Sequence, residues 1–231
     1  MLVERDKVLL GFMSQWQFML ASQCAEYLGC SEQVARRRLR EMRALGLLDV
    51  MVPFSDYRQV HWVNREGLRY VRGSVGVKAG RLGPKLSQFE HDRRLVDLAV
   101  RFHREHPEYE VHGEVEMRRV DGEALAKREP LRFATQRWSG GRMVNVFPDM
   151  VASKNGRKFV IEYEHTKKDP ARLRSLMRAY ATNPEVVAVK YYGSDAAFPQ
   201  LERLYREIEG TLPLVGGKPK VQVARFEEGE R

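Results

Sequence analysis

Cysteine is nearly absent from this chain: Cys24 and Cys30 are the only two among 231 residues. Two thiols with no companion pair exclude a disulfide scaffold and a four-thiolate zinc site. They read as two partly buried free thiols. No apolar run approaches the roughly 18–20 residues that span a bilayer. The opening MLVERDKVLLGF carries Glu4 and Asp6 and has no small-residue cleavage step, so it does not read as a secretion signal. Low-complexity tracts are missing, and the glycines fit neither a Walker A loop nor a dinucleotide fingerprint. The expectation is a cytoplasmic globular protein with no membrane contact.

What the chain does have is positive charge. The formal net charge is +9, which favours polyanionic partners. Its distribution is uneven: residues 1–89 hold 14 Lys and Arg against 8 Asp and Glu, whereas residues 90–231 hold 26 against 23. The shorter first part therefore carries most of the excess.

That part begins with three helical patterns. Val8, Leu9 and Phe12 recur at helical spacing within residues 4–14. ASQCAEYLG offers Ser22 as an N-cap and Gly29 as a terminator. In SEQVARRRLREMRALG, Ser31 is the expected N-cap and Gly46 the stop. Ala35, Leu39 and Met42 define one buried stripe of this third helix, leaving Gln33, Arg36, Arg37, Arg40 and Arg43 on the other side. Such a face supplies the forked donors that read guanine and adenine edges in a major groove, with further arginines for phosphates. The plainer reading is a solvated charged face. Next, Leu47–Val52 and Gln59–Val63 read as the strands of a hairpin around PFSDYR. Arg58 and His61 would reach a minor groove or phosphates from it. Asn64 then caps a further helix that contains Gly67. This order resembles a winged helix-turn-helix, which implies duplex DNA as partner for residues 1–72, although the fold alone does not prove DNA binding.

Residues 73–88, rich in glycine and basic in character, read as a linker. From Phe89 to the end at 231 the pattern alternates strands and helices. A helix with inward Leu95, Leu98 and Phe102 comes first. YEVHGEVEMRRV follows as a half-buried strand, and polar residues 121–142 as a loop or short hairpin. Strands 143–153 and 158–165 are expected to join through Lys154-Asn155-Gly156, a strong turn signal. Asp169 and Pro170 open a helix, and EVVAVKYYG reads as a central strand. A helix at 198–209 and a strand at 219–226 complete the domain. The expected fold class is α+β in two domains, the second an α/β domain around a central mixed sheet.

The chemistry concentrates in FPDMVASKNGRKFVIEYEHTKK, residues 147–168. Strand alternation puts Val160, Glu162 and Glu164 on one face, with Phe159, Ile161 and Tyr163 on the other. Asp149 should fall on the adjoining strand, a cross-strand neighbour away. Three carboxylates so close need protons, a base or a cation between them, and hard oxygen donors suit Mg²⁺ or Mn²⁺.

Pro148-Asp149, then twelve residues, then Glu-x-Glu resembles the PD-(D/E)xK nuclease superfamily and its restriction-endonuclease-like fold. The resemblance implies a metal site of Asp149 and Glu162 with Glu90 from the first helix of the domain. It also implies a catalytic set of Asp149, Glu162 and Glu164, with Lys167 or Lys168 supplying the positive charge. Glu164 stands where that superfamily usually has lysine. Taken with the N-terminal pattern, His91-Asp92, Glu162-x-Glu164-His165-Thr166 and the later Tyr180 resemble the replication-relaxation family over residues 4–195. That resemblance implies a duplex-DNA-binding accessory protein for plasmid or mobile-element replication, relaxation or mobilisation. Its nuclease-like domain would be degenerate, and a relaxase or replication protein would be the partner. Three readings of the acidic trio stay open: a solvated strand face, a vestigial site used for docking, and a metal-dependent endonuclease. For the whole chain, a winged-helix transcriptional regulator is a further alternative, and a homodimer is a candidate assembly.

Overall fold

A computed structural model describes residues 2–55, 57–72 and 83–227. The protein is α+β, with eight α-helices and a mixed five-stranded sheet among the described residues. Packing divides it into two compact units, Met1–Pro107 and Glu108–Arg231. The linker expected at 73–88 falls largely on residues 73–82, outside the described residues.

In the first unit, α1 (Glu4–Met13), α2 (Ala21–Leu28) and α3 (Glu32–Ala44) come first. Ser31 caps α3, its hydroxyl accepting the Val34 N–H at 3.4 Å, and Gly29 ends α2 in the left-handed region at φ 61°. Ser22 lies inside α2. The capping acceptor there is instead the Gln23 side-chain Oε1, 2.8 Å from the Leu20 N–H, and the Nε2 of the same side chain donates to the Arg93 carbonyl at 3.0 Å. A three-stranded antiparallel sheet follows, with β3 (Val60–Val63) between β1 (Met19–Leu20) and β2 (Leu48–Met51). The Asn64 side chain caps α4 (Arg65–Arg72) by accepting the Gly67 N–H at 3.0 Å.

Helix α5 (Phe89–Glu105) belongs to this first unit by packing, whereas the sequence reading assigned it to the second. Phe89 stacks on Phe18 with ring centroids 4.6 Å apart, and both join Leu20 and Val60 in one buried cluster. Asp97 of α5 accepts from Gln23 at 2.7 Å.

The second unit begins with β4 (Glu110–Gly113) and α6 (Glu114–Lys127). The strand expected over 109–120 therefore stops at Gly113. Glu114 and Glu116 then sit in a helical first turn, where carboxylates suit the helix dipole. Met117, Asp121 and Ala124 form its buried stripe. Next come the hairpin β5 (Thr135–Ser139) and β6 (Arg142–Val146), then β7 (Met150–Lys154) and β8 (Arg157–Glu164). The single strand expected at 143–153 is thus two, interrupted at Phe147-Pro148-Asp149, because proline supplies no ladder donor. Asn155 and Gly156, both at positive φ, make the expected turn. Then follow α7 (Pro170–Thr182), β9 (Val186–Gly193), α8 (Phe198–Ile208), the short pair β10 (Leu214–Val215) and β11 (Lys218–Pro219), and β12 (Val221–Arg225).

The main sheet has the order β12-β9-β8-β7-β4, parallel from β12 to β8 and antiparallel from β8 to β4. Val151, Val160, Val189 and Val221 stand in register across four of its strands. They pack with Met117 of α6, Leu173 and Met177 of α7, and Leu201 and Leu204 of α8 in one core. That valine row fixes which face of the sheet the helices cover.

One glycine is dictated by contact rather than by φ. A Cβ on Gly67 would lie 2.2 Å from the Leu47 carbonyl oxygen and 2.6 Å from Val63 Cγ1, so α4 could not start so close to the hairpin. Gly67→Ala is expected to destabilise the first unit by about 1–3 kcal/mol, measured by denaturant unfolding. An unchanged unfolding midpoint would contradict this packing.

Candidate functional site

Two places gather chemistry, one in each unit. In the first, Ala35, Leu39 and Met42 of α3 are fully buried. Gln33, Arg36, Arg37, Arg40 and Arg43 are exposed, as the helical spacing predicts. Among the described residues, Arg37, Arg40 and Arg43 have no carboxylate partner. Arg38, although in the same run, turns inward. It pairs with Asp6 of α1, whose side chain is wholly buried, and also with Glu41. Asp6 additionally accepts the Val3 N–H at 2.9 Å. Burial opposes the charge on Asp6, but the Arg38 hydrogen bond and the Val3 N–H overcome it and hold the carboxyl below its ordinary range. This pair fixes the rotation of α3.

The hairpin adds a groove of about 390 Å³ lined by Glu32, Gln33, Arg36, Arg40, Arg58 and His61, among others. Arg58 is exposed there. His61 is not the outward contact the sequence suggested. It is buried, and burial first, then the charges of Arg43 and Arg36, push its imidazole down to about 4. It is therefore neutral at physiological pH and supplies no charge to a partner.

In the second unit, the acidic trio lies on the helix-covered face of the sheet, one pleat along from the valine row. Glu162 pairs in register with Tyr191, and Glu164 with Gly193. Only 5% of Glu162 and 4% of Glu164 is exposed, so the solvated strand face is excluded. Asp149 falls one residue before the first ladder pair, Met150–Ile161, which brings it opposite Glu162. Its carboxylate accepts the Tyr163 N–H at 2.8 Å.

Glu162 accepts the Tyr180 hydroxyl of α7 at 2.7 Å. Burial, then the Asp149 charge, push Glu162 well above the ordinary carboxyl range, against the pull of Tyr180. The Glu164 charge adds to the rise. Burial and the same three carboxylates also push the Tyr191 phenol up. Its hydroxyl is enclosed with no hydrogen-bond partner among the described residues.

The convergence of Asp149, Glu162 and Glu164 is present, and one of the two lysines expected to serve it pairs with Glu164. Lys167 is exposed, and it is Lys168 whose Nζ lies 3.1 Å from Glu164. Glu90 lies on α5 in the first unit and accepts from Arg93 at 2.9 Å. Among the described residues no three His, Cys, Asp or Glu side chains are arranged to hold a metal ion. Glu162 is hydrogen-bonded to Tyr180 and Asp149 to a backbone N–H, while Glu164 is ion-paired with Lys168. His112 is hydrogen-bonded to the Ser153 hydroxyl at 2.9 Å.

The sequence reading missed the role of Tyr180, Tyr191 and Glu32. Tyr180 had a signal, since Leu173, Met177 and Tyr180 recur at helical spacing and all are buried. Compared with models of protein families and with curated proteins, the chain matches none.

Two outcomes follow. Arg38→Ala leaves Asp6 buried and unpaired and is expected to destabilise the first unit by roughly 2–4 kcal/mol, whereas Arg37→Ala should leave the unfolding midpoint in place; equal effects would contradict the assignment. Glu162 has a raised folded-state pKa. Its contribution is therefore present below the ordinary value of 4.5 and is lost as pH rises through the raised value. Glu162→Gln keeps the hydrogen bonds without the titration. Thermal unfolding from pH 5 to 9 should fall less with pH in the variant than in the wild type. Identical slopes would contradict the raised pKa of Glu162.

Proposed function

We propose that this protein binds double-stranded DNA through the exposed face of α3, with the second unit as a nuclease-like domain that no longer cuts. The observation that carries the reading is the sorting of arginines on α3. Arg38 is consumed by the fold, while Arg37, Arg40 and Arg43 lie exposed with no carboxylate partner among the described residues. Guanidinium groups on one helical face are the donor set for guanine edges and phosphates. The order of three helices, an antiparallel hairpin and a capped fourth helix supports a winged helix-turn-helix as the module. The proposed module spans residues 1–72, with α5 packed in the same unit.

An inactive second unit is supported by the state of its carboxylates: Glu162 is buried, held above its ordinary range and bound to Tyr180, and Glu164 is ion-paired with Lys168. The likeness to the replication-relaxation family extends the proposal. It makes the protein an accessory factor of plasmid or mobile-element replication or mobilisation, acting beside a relaxase or replication protein.

The test is duplex binding measured as a function of salt. Replacing Arg36, Arg37 and Arg40 by Ala together should weaken binding roughly a hundredfold, from at least about 1 kcal/mol per contact. The salt dependence should become shallower as phosphate contacts are lost. Unchanged affinity would sink the reading. A nicking assay on supercoiled plasmid with Mg²⁺ or Mn²⁺ belongs beside it: metal-dependent cleavage abolished by Asp149→Ala would establish the endonuclease instead.

A further inference from the structure

The groove between α3 and the start of β3 contains an internal anion. The Glu32 carboxylate accepts from Arg36, with Nη2 at 2.7 Å and Nε at 3.0 Å. Arg58, arriving from the hairpin, places its Nη1 3.3 Å from the same carboxylate. Arg40 lines the groove as well and has no carboxylate partner among the described residues. Two arginines thus hold one carboxylate while a third lines the same groove, and the groove's charge is incompletely matched. Gln33 adds an amide donor, and His61 forms part of the lining with an Nδ1 that has no hydrogen-bond partner among the described residues. All of this lies within the first unit.

We propose that this groove is a phosphate-binding site and that Glu32 holds it closed by standing in for the phosphate. The chemistry is that of a planar, forked donor set converging on one anion, which suits a tetrahedral oxyanion at least as well as a carboxylate. The groove's volume leaves room for the atoms attached to the phosphate. Each Glu32 pair is exposed, with Arg36 and Arg58 side chains 55% and 66% accessible, so each is weak. A more highly charged anion can displace the carboxylate, releasing Glu32 to solvent. The phosphate can come from a DNA backbone or from a free phosphorylated small molecule. The site stands on this geometry whether or not the duplex reading holds.

The experiment titrates inorganic phosphate into the full chain and follows the arginine Nε–Hε and His61 ring resonances by NMR. Shifts at Arg36, Arg58 and His61 are expected, with binding about fivefold tighter in Glu32→Gln. Binding should be at least about tenfold weaker when Arg36 and Arg58 are both replaced by Gln. No shift at these residues, or a Glu32→Gln protein that binds no tighter, overturns the site. A short duplex added to the phosphate-saturated protein separates the sources. Displacement of phosphate assigns the groove to a backbone phosphate. Simultaneous binding assigns it to a free phosphorylated molecule, and both outcomes support the site. Phosphate binding with no duplex binding keeps the site and defeats the DNA reading. Duplex binding with no phosphate response does the reverse.

Discussion

The buried pair of Arg38 and Asp6 is the constraint on which the first unit's surface depends. A helix carrying five arginines between residues 36 and 43 has no intrinsic reason to present four of them outward. Ala35, Leu39 and Met42 set the rotation coarsely by burial, and Arg38 sets it finely, because a charge taken out of water tolerates little misplacement. Asp6 belongs to α1, so the same contact ties the first helix to the third. What is left outside is a coherent strip of guanidinium groups and one glutamine.

The second unit obeys a comparable rule with opposite sign. Its polar cluster is inside because the sheet register allows no alternative. Once Val160 faces the helices, Glu162 and Glu164 must face them too. The structure accommodates the charge with the Tyr180 hydroxyl and with Lys168, rather than by exposure. Asp121 is handled similarly: buried in α6, its carboxylate accepts backbone N–H groups of Arg132, Phe133 and Ala134 at 2.7–3.1 Å. Polar groups in this unit therefore serve as internal joints between elements.

That is also why some of the fold was legible in the sequence and some was not. Caps and turns with one conformational meaning were readable: Ser31, Gly29, Asn64, Asp169 with Pro170, and Asn155-Gly156. The apolar stripe of α3 and the valine-rich β9 were readable as well. Helix α6 was hidden because its inner stripe runs Met117, Asp121, Ala124, and a buried aspartate looks like a surface residue in sequence. The face of Glu162 and Glu164 was correctly grouped, but its burial was invisible without knowing which side α7 covers. His61 misled for the converse reason, a polar residue on a hairpin that packs inward.

The central claim is that α3 presents its arginines to duplex DNA while Arg38 stays with the fold. Arginine side-chain NMR on adding a short duplex tests it most directly. The account predicts that the Nε–Hε signals of Arg36, Arg37, Arg40 and Arg43 shift together while that of Arg38 remains in place. An unperturbed α3 in a saturated complex, or perturbation confined to the second unit, would contradict it.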